Sequence, residues 1–80
     1  TRDYKSELQE HVQKLTGLTS TYELVDETGP DHQKEFTMAV FVRGKEYGRG
    51  SGASKKLASQ LAAESALVRI QQNPSLLEGG

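Results

Sequence analysis

The chain has 80 residues, enough for one small domain, and no cysteine, which excludes a disulfide or a thiolate metal site as a staple. Its two histidines lie outside any H-E-x-x-H spacing, no apolar run approaches the ~18 residues of a membrane span, and no signal peptide is visible, so a cytoplasmic domain without metal or membrane is expected. The formal net charge is −1, which argues against a polyanionic partner until the charges are followed along the chain.

Residues 3–15 read as a helix, with Tyr4, Leu8, Val12 and Leu15 recurring on one face. Asp3 is the expected N-cap and Gly17 the expected stop, because glycine tolerates the left-handed conformation past a helix end. Residues 21–27 alternate weakly, as a strand does, and the run TGPDHQ at 28–33 has loop chemistry. Over 35–43, Phe36, Met38, Val40 and Val42 alternate with Thr37, Ala39, Phe41 and Arg43, giving a strand with one apolar face. Arg43-Gly44 makes a tight turn into a third strand over 45–50. Residues 54–72 form a second helix whose Ala58, Ala62, Ala66 and Ile70 share a face. Pro74 and the terminal Gly79-Gly80 suggest a frayed end, so the domain is expected to span 1–72 with a flexible tail over 73–80.

This order predicts an α+β fold, α-β-β-β-α, with a three-stranded antiparallel sheet and two helices packed on one face. The apolar face of residues 36–42 should then meet Tyr4, Leu8, Val12 and the alanine stripe.

Charge is unevenly distributed. Residues 1–35 carry four basic side chains (Arg2, Lys5, Lys14, Lys34) against eight acidic ones, whereas residues 43–56 carry five (Arg43, Lys45, Arg49, Lys55, Lys56) against Glu46 alone. A local field of this kind attracts a polyanion whatever the total, although a charge run is equally a solvated face.

The start of the second helix is the most informative point. Ser54 is the expected N-cap, Lys55 and Lys56 follow, and no acid appears until Glu64. A helix amino terminus carries partial positive charge, so each lysine there costs roughly 0.3–1 kcal/mol at low salt. The arrangement makes sense if an anion sits on the free backbone N–H groups, the hydroxyl and the two ammonium groups. The bland alternative is a solvated cap with two solubilising lysines.

The preceding Gly48-Arg49-Gly50-Ser51-Gly52-Ala53 formally fits a dinucleotide-binding G-x-G-x-x-A. That pattern needs a parallel strand after the helix with an acid at its end, for which no residues remain, and the P-loop spacing fails as well. The glycines are better read as letting the chain bend off the sheet and letting a backbone come close.

On the first helix, Ser6, Gln9, Glu10 and Gln13 lie off the apolar face. They would suit ribose hydroxyls, or form a plain polar surface. His11 pairs with Glu7 at i, i+4, and His32 stands alone in its loop. No nucleophile context marks a hydrolase. Leu57, Leu61 and Val68 form a second apolar stripe on the second helix, either partly buried, which is the expectation, or exposed as a partner surface.

Three segments together resemble a known family. Asp3-Tyr4-Lys5-Ser6 with Leu8-Gln9-Glu10, then Gly29-Pro30-Asp31-His32 with Lys34 and Phe36, then Gly52, Ser54-Lys55-Lys56, Ala58, Gln60 and Ala62-Ala63, resemble the double-stranded-RNA-binding domain at the carboxyl end of bacterial ribonuclease III. The likeness covers roughly residues 3–70.

It implies RNA contacts by Ser6, Gln9 and Glu10 in one minor groove, by Gly29, Pro30 and His32 in the next, and by Ser54, Lys55 and Lys56 on the phosphates between. It implies double-stranded RNA as partner, bound by shape. It also implies a nuclease domain elsewhere in a homodimeric full-length chain engaged in RNA processing, including ribosomal RNA processing. These residues would hold no catalytic group and no cofactor, magnesium belonging to the nuclease domain. Leu57, Leu61 and the low total charge depart from the family pattern. They keep open an alternative, the same fold used for protein–protein interaction or dimerisation with weak RNA binding. A small nucleotide-binding enzyme is a third and remote reading.

Overall fold

The computed structural model describes residues 2–78. Helix α1 spans Tyr4–Thr16, strands β1, β2 and β3 span Thr21–Thr28, Glu35–Val42 and Lys45–Gly52, and helix α2 spans Lys55–Gln72. Single 3-10 turns occupy Asp31–Gln33 and Pro74–Leu77. The sheet runs β1-β2-β3 and is antiparallel throughout. The α-β-β-β-α order is the expected one.

Local chemistry sets the boundaries. Asp3 caps α1, its carboxylate accepting from the Ser6 amide, and Gly17 ends the helix at φ 73°. Ser54 caps α2 by accepting from the Leu57 amide. In the β2–β3 hairpin, Arg43 (φ 55°) and Gly44 (φ 76°) both take positive φ, as a two-residue turn of the primed type requires. The sequence accounts for the glycine but not for an arginine in that region.

The core is a single cluster that joins Leu8 and Val12 of α1, Val40 and Val42 of β2, Tyr47 of β3, and Ala62, Ala63, Ala66, Leu67 and Ile70 of α2. Burying each large aliphatic side chain stabilises the fold by roughly 1.5–3 kcal/mol. Only the second half of the β2 apolar face enters this cluster. Phe36 stays half-buried, under the Lys55 ammonium 5.8 Å from its ring centre.

Close approach of α2 to the sheet explains the glycines of β3. A Cβ on Gly48 would lie 2.6 Å from the Ala62 carbonyl oxygen, and one on Gly50 would lie 2.6 Å from that of Ala58. The small faces of strand and helix therefore meet backbone to backbone. The glycines do not bend the chain off the sheet, because β3 runs through them to Gly52.

The expected flexible tail over 73–80 is corrected for the described part. Leu77 is buried, and the Leu76 carbonyl accepts from the Tyr47 hydroxyl at 2.9 Å. Burial of Leu77 and satisfaction of the Tyr47 hydroxyl hold residues 74–77 against the core, so the packed unit continues past 72. Gly79 and Gly80 lie outside the described residues.

Candidate nucleic-acid interface

The first turn of α2 contains Lys55 and Lys56, both exposed, and no acidic residue. The Ser54 oxygen is engaged as a cap acceptor at 3.1 Å, which leaves its proton free to donate. The turn thus offers two ammonium groups, a hydroxyl and helix-end N–H groups, the donor set that suits phosphate oxygens.

The β1–β2 loop lies at the same end of the sheet, because Phe36 at the start of β2 pairs with Gly52 at the end of β3. Gly29 has φ 90°, and any side chain there would strike the Gln33 carbonyl. The Pro30 carbonyl accepts from the Gln33 amide at 2.8 Å, closing a 3-10 turn that carries His32 outward. Lys34 is held by Glu27 at 3.0 Å and faces Asp31 at 3.9 Å, so its charge is spent within the loop. The loop is braced from both ends and exposes Gly29, Pro30 and His32.

Helix α1 meets α2 one turn beyond the lysines. The Gln60 amide oxygen accepts from the Tyr4 amide at 2.8 Å, and its nitrogen donates to the Asp3 carboxylate at 2.8 Å. The Gln60 and Ser6 hydrogen bonds hold the Asp3 carboxyl down to about 2. Ser6 and Glu10 are exposed on the outward side of α1, together with Gln13.

Gln9 is placed differently. It is half-buried, its oxygen accepts from both the amide and the hydroxyl of Ser20 at 2.9 Å, and its nitrogen donates to the Leu18 carbonyl at 3.2 Å. Its principal role here is to hold the α1–β1 loop, because its position at the rim of the apolar face turns it toward that loop. The expected pairing of His11 with Glu7 gives way to a stronger one, since the Arg2 guanidinium takes both Glu7 carboxylate oxygens.

The five cations of residues 43–56 do not form one patch. Arg43 and Lys45 stand at the hairpin end of β3, and Lys55 and Lys56 lie beyond its other end. Seven steps at ~3.3 Å put the two ends of the strand about 23 Å apart. Arg49 between them is paired with Glu46 at 2.7 Å and 3.1 Å. That pair raises the arginine pKa and lowers the carboxyl, first by hydrogen bonding and then by charge. Of these five, the cations free to meet an anion beside the loop and α1 are therefore Lys55 and Lys56.

The apolar stripe on α2 is more exposed than expected. Leu57 and Val68 are each 48% exposed, and only Leu61 is half-buried. Among the described residues no group of three His, Asp or Glu side chains could hold a metal ion.

Gln60 was not legible as a site residue, since its partners lie 56 and 57 positions away in the chain.

Comparison with known proteins agrees with this fold. A family model described as the double-stranded RNA binding motif matches residues 4–69. Ribonuclease 3 of Campylobacter concisus is 51% identical over 71 residues, which make up 89% of this chain and 32% of that protein. Ribonuclease 3 of Streptococcus thermophilus is 54% identical over 68 residues, 85% of this chain and 30% of the relative. The chain thus spans about a third of the curated relatives it matches. Among solved structures, Arabidopsis HYL1, described for its implications in miRNA processing, superposes with a TM-score of 0.74 at 38% identity, covering 88% of this chain and 99% of that one.

Proposed function

We propose a function from one premise: the chain belongs to the double-stranded RNA binding motif family. It binds duplex RNA by shape. The A-form major groove is too narrow for side chains to read, so recognition rests on 2′-hydroxyls and phosphates over ~16 base pairs. Ser6 and Glu10 reach ribose hydroxyls in one minor groove, Gly29, Pro30 and His32 enter the next, and Ser54, Lys55 and Lys56 bridge the phosphates between. Gln9 acts at second hand, by fixing the loop behind α1.

The observation that carries this reading is the position of the α2 amino terminus. It stands between the start of β2, where Lys55 lies over the Phe36 ring just past the β1–β2 loop, and the start of α1, which it holds through Gln60. One rod-shaped polyanion then meets all three.

The matched relatives are ribonucleases about three times as long as the match. In that setting the domain positions RNA for a nuclease segment that brings the magnesium and the catalytic groups, in a homodimeric cytoplasmic enzyme that processes RNA, ribosomal RNA included.

The test is a gel shift with an RNA duplex of about 20 base pairs and a DNA duplex of the same sequence. RNA-selective binding that is lost in Lys55→Ala/Lys56→Ala supports the reading, and equal binding of DNA refutes it. Glu10→Ala is expected to narrow the RNA-over-DNA preference. The exposure of Leu57 and Val68 favours a second reading, association through that side of α2. It predicts a dimer in solution and no RNA shift.

A further inference from the structure

We infer that Gln60 is a positioning residue, which sets α1 at a fixed register on α2 and so spaces the ribose-contacting side chains from the phosphate-contacting lysines. The inference rests on the RNA reading above and adds to it a residue that touches no RNA.

The apolar packing that brings Leu8 and Val12 of α1 into one core cluster with Ala63 and Leu67 of α2 is non-directional. By itself it tolerates sliding and rotation. Gln60 supplies the direction. Its amide makes two hydrogen bonds of 2.8 Å to consecutive residues at the start of α1, one to the Tyr4 N–H and one to the Asp3 carboxylate. Among the described residues these are the only hydrogen bonds from α2 to α1 and its cap. Both bonds require donor and acceptor in the orientation an amide has, so a one-residue slip of α1 breaks them together.

The tie continues into the binding face. Oδ1 of Asp3, which receives the Gln60 proton, also accepts from the Ser6 N–H at 3.2 Å, and its other oxygen accepts from the Ser6 hydroxyl at 2.7 Å. The Ser6 proton is thereby committed to Asp3, and the oxygen faces outward with lone pairs only. It can accept from a ribose 2′-hydroxyl, which DNA lacks. Gln60 lies four residues, about one turn, beyond Lys56 on the same helix. The chain of contacts from Lys56 through Gln60 and Asp3 to Ser6 therefore links a phosphate contact to a ribose contact without passing through the sheet.

The experiment uses the near-isosteric Gln60→Leu, with binding to matched RNA and DNA duplexes measured below the melting temperature of every variant. Gln60→Leu should weaken RNA binding by about tenfold, the equivalent of one charge-assisted hydrogen bond. It should lower the RNA-over-DNA preference and leave the salt slope unchanged, because the lysine contacts persist.

Coupling separates positioning from mere loss of stability. Ser6→Ala should cost binding in the parent but little in the Gln60→Leu background, while Lys56→Ala costs the same in both. Gln60→Glu sets a carboxylate against Asp3, with Arg2, Glu7, Lys56 and Glu64 as the other charges around it. It should bind poorly at neutral pH and recover in mild acid, where the introduced carboxyl is protonated and again offers one donor and one acceptor, as the amide does. Additive effects of Ser6→Ala and Gln60→Leu, or an unchanged RNA-over-DNA preference in Gln60→Leu, overturn the inference alone. Failure of the parent chain to bind RNA overturns the functional reading and the inference together.

Discussion

Replacing Gly50 by alanine tests whether α2 lies so close to β3 that only glycine fits between them. A Cβ at Gly50 would lie 2.5 Å from the Leu61 Cβ and 2.6 Å from the Ala58 carbonyl oxygen, where ordinary contact begins at 3.4 Å. About 0.9 Å must therefore be found on the Leu61 side, by moving a helix backbone away from a strand hydrogen-bonded to β2 at Met38.

Overpacking of this kind costs about 2–3 kcal/mol, offset by some 0.5–1 kcal/mol because alanine has less freedom than glycine in the unfolded chain. The net loss of about 2 kcal/mol is large against the roughly 4–12 kcal/mol expected for a domain this size. In urea unfolding followed by circular dichroism, the midpoint should fall by about 1–2 M at unchanged slope. Gly17→Ala is the control. Gly17 has φ 73° and nothing within 4 Å of a built Cβ, so only backbone strain of about 1 kcal/mol is expected there. A Gly50→Ala midpoint within about 0.3 M of the parent would refute the argument from close approach.

Other outcomes can be stated briefly. Lys56→Ala should weaken binding to all RNA duplexes alike and lower the salt slope by about 1, as titration against salt would show. Arg43→Ala/Lys45→Ala removes as much formal charge as Lys55→Ala/Lys56→Ala but should leave the slope nearly unchanged, because those cations stand at the far end of β3. Equal slopes in the two double variants would put the RNA elsewhere. Acid should act through Asp3, whose carboxyl is lowered from 3.8 to about 2. A depressed carboxyl stabilises the fold above its ordinary value, so that contribution is complete above about pH 4 and is lost as pH falls toward 2. Carboxyl titration by NMR should find Asp3 nearer its ordinary value in Gln60→Leu.

Much of the fold was legible because its signals are local. The caps at Asp3 and Ser54, the stop at Gly17, the alternation over 36–42 and the alanine face of α2 each depend on neighbours a few residues away. What was missed depends on contacts across the fold. Gln60 meets Asp3 and Tyr4 only after the sheet has placed α2 beside α1. The basic run of residues 43–56 looked like one patch because closeness in sequence was read as closeness in space, whereas an extended strand carries its ends apart. Gln9 sits at the rim of the apolar face, where neither reading is favoured until the Leu18–Ser20 segment is in place. Arg43 has no local mark of positive φ, since the demand comes from the twist of the two strands it joins.

The 3-10 turn at Pro74–Leu77 separates the recognisable signature from the unit that folds. The family match stops at residue 69, yet Ile70 and Leu77 are both fully enclosed and the Tyr47 hydroxyl finds its acceptor only at Leu76. A fragment trimmed to the signature would keep every proposed RNA contact and lose the stopper that closes the hairpin end of the molecule. The excision would leave holes where Ile70 and Leu77 stood and an orphaned phenol, so the fragment should bind in the cold and melt early.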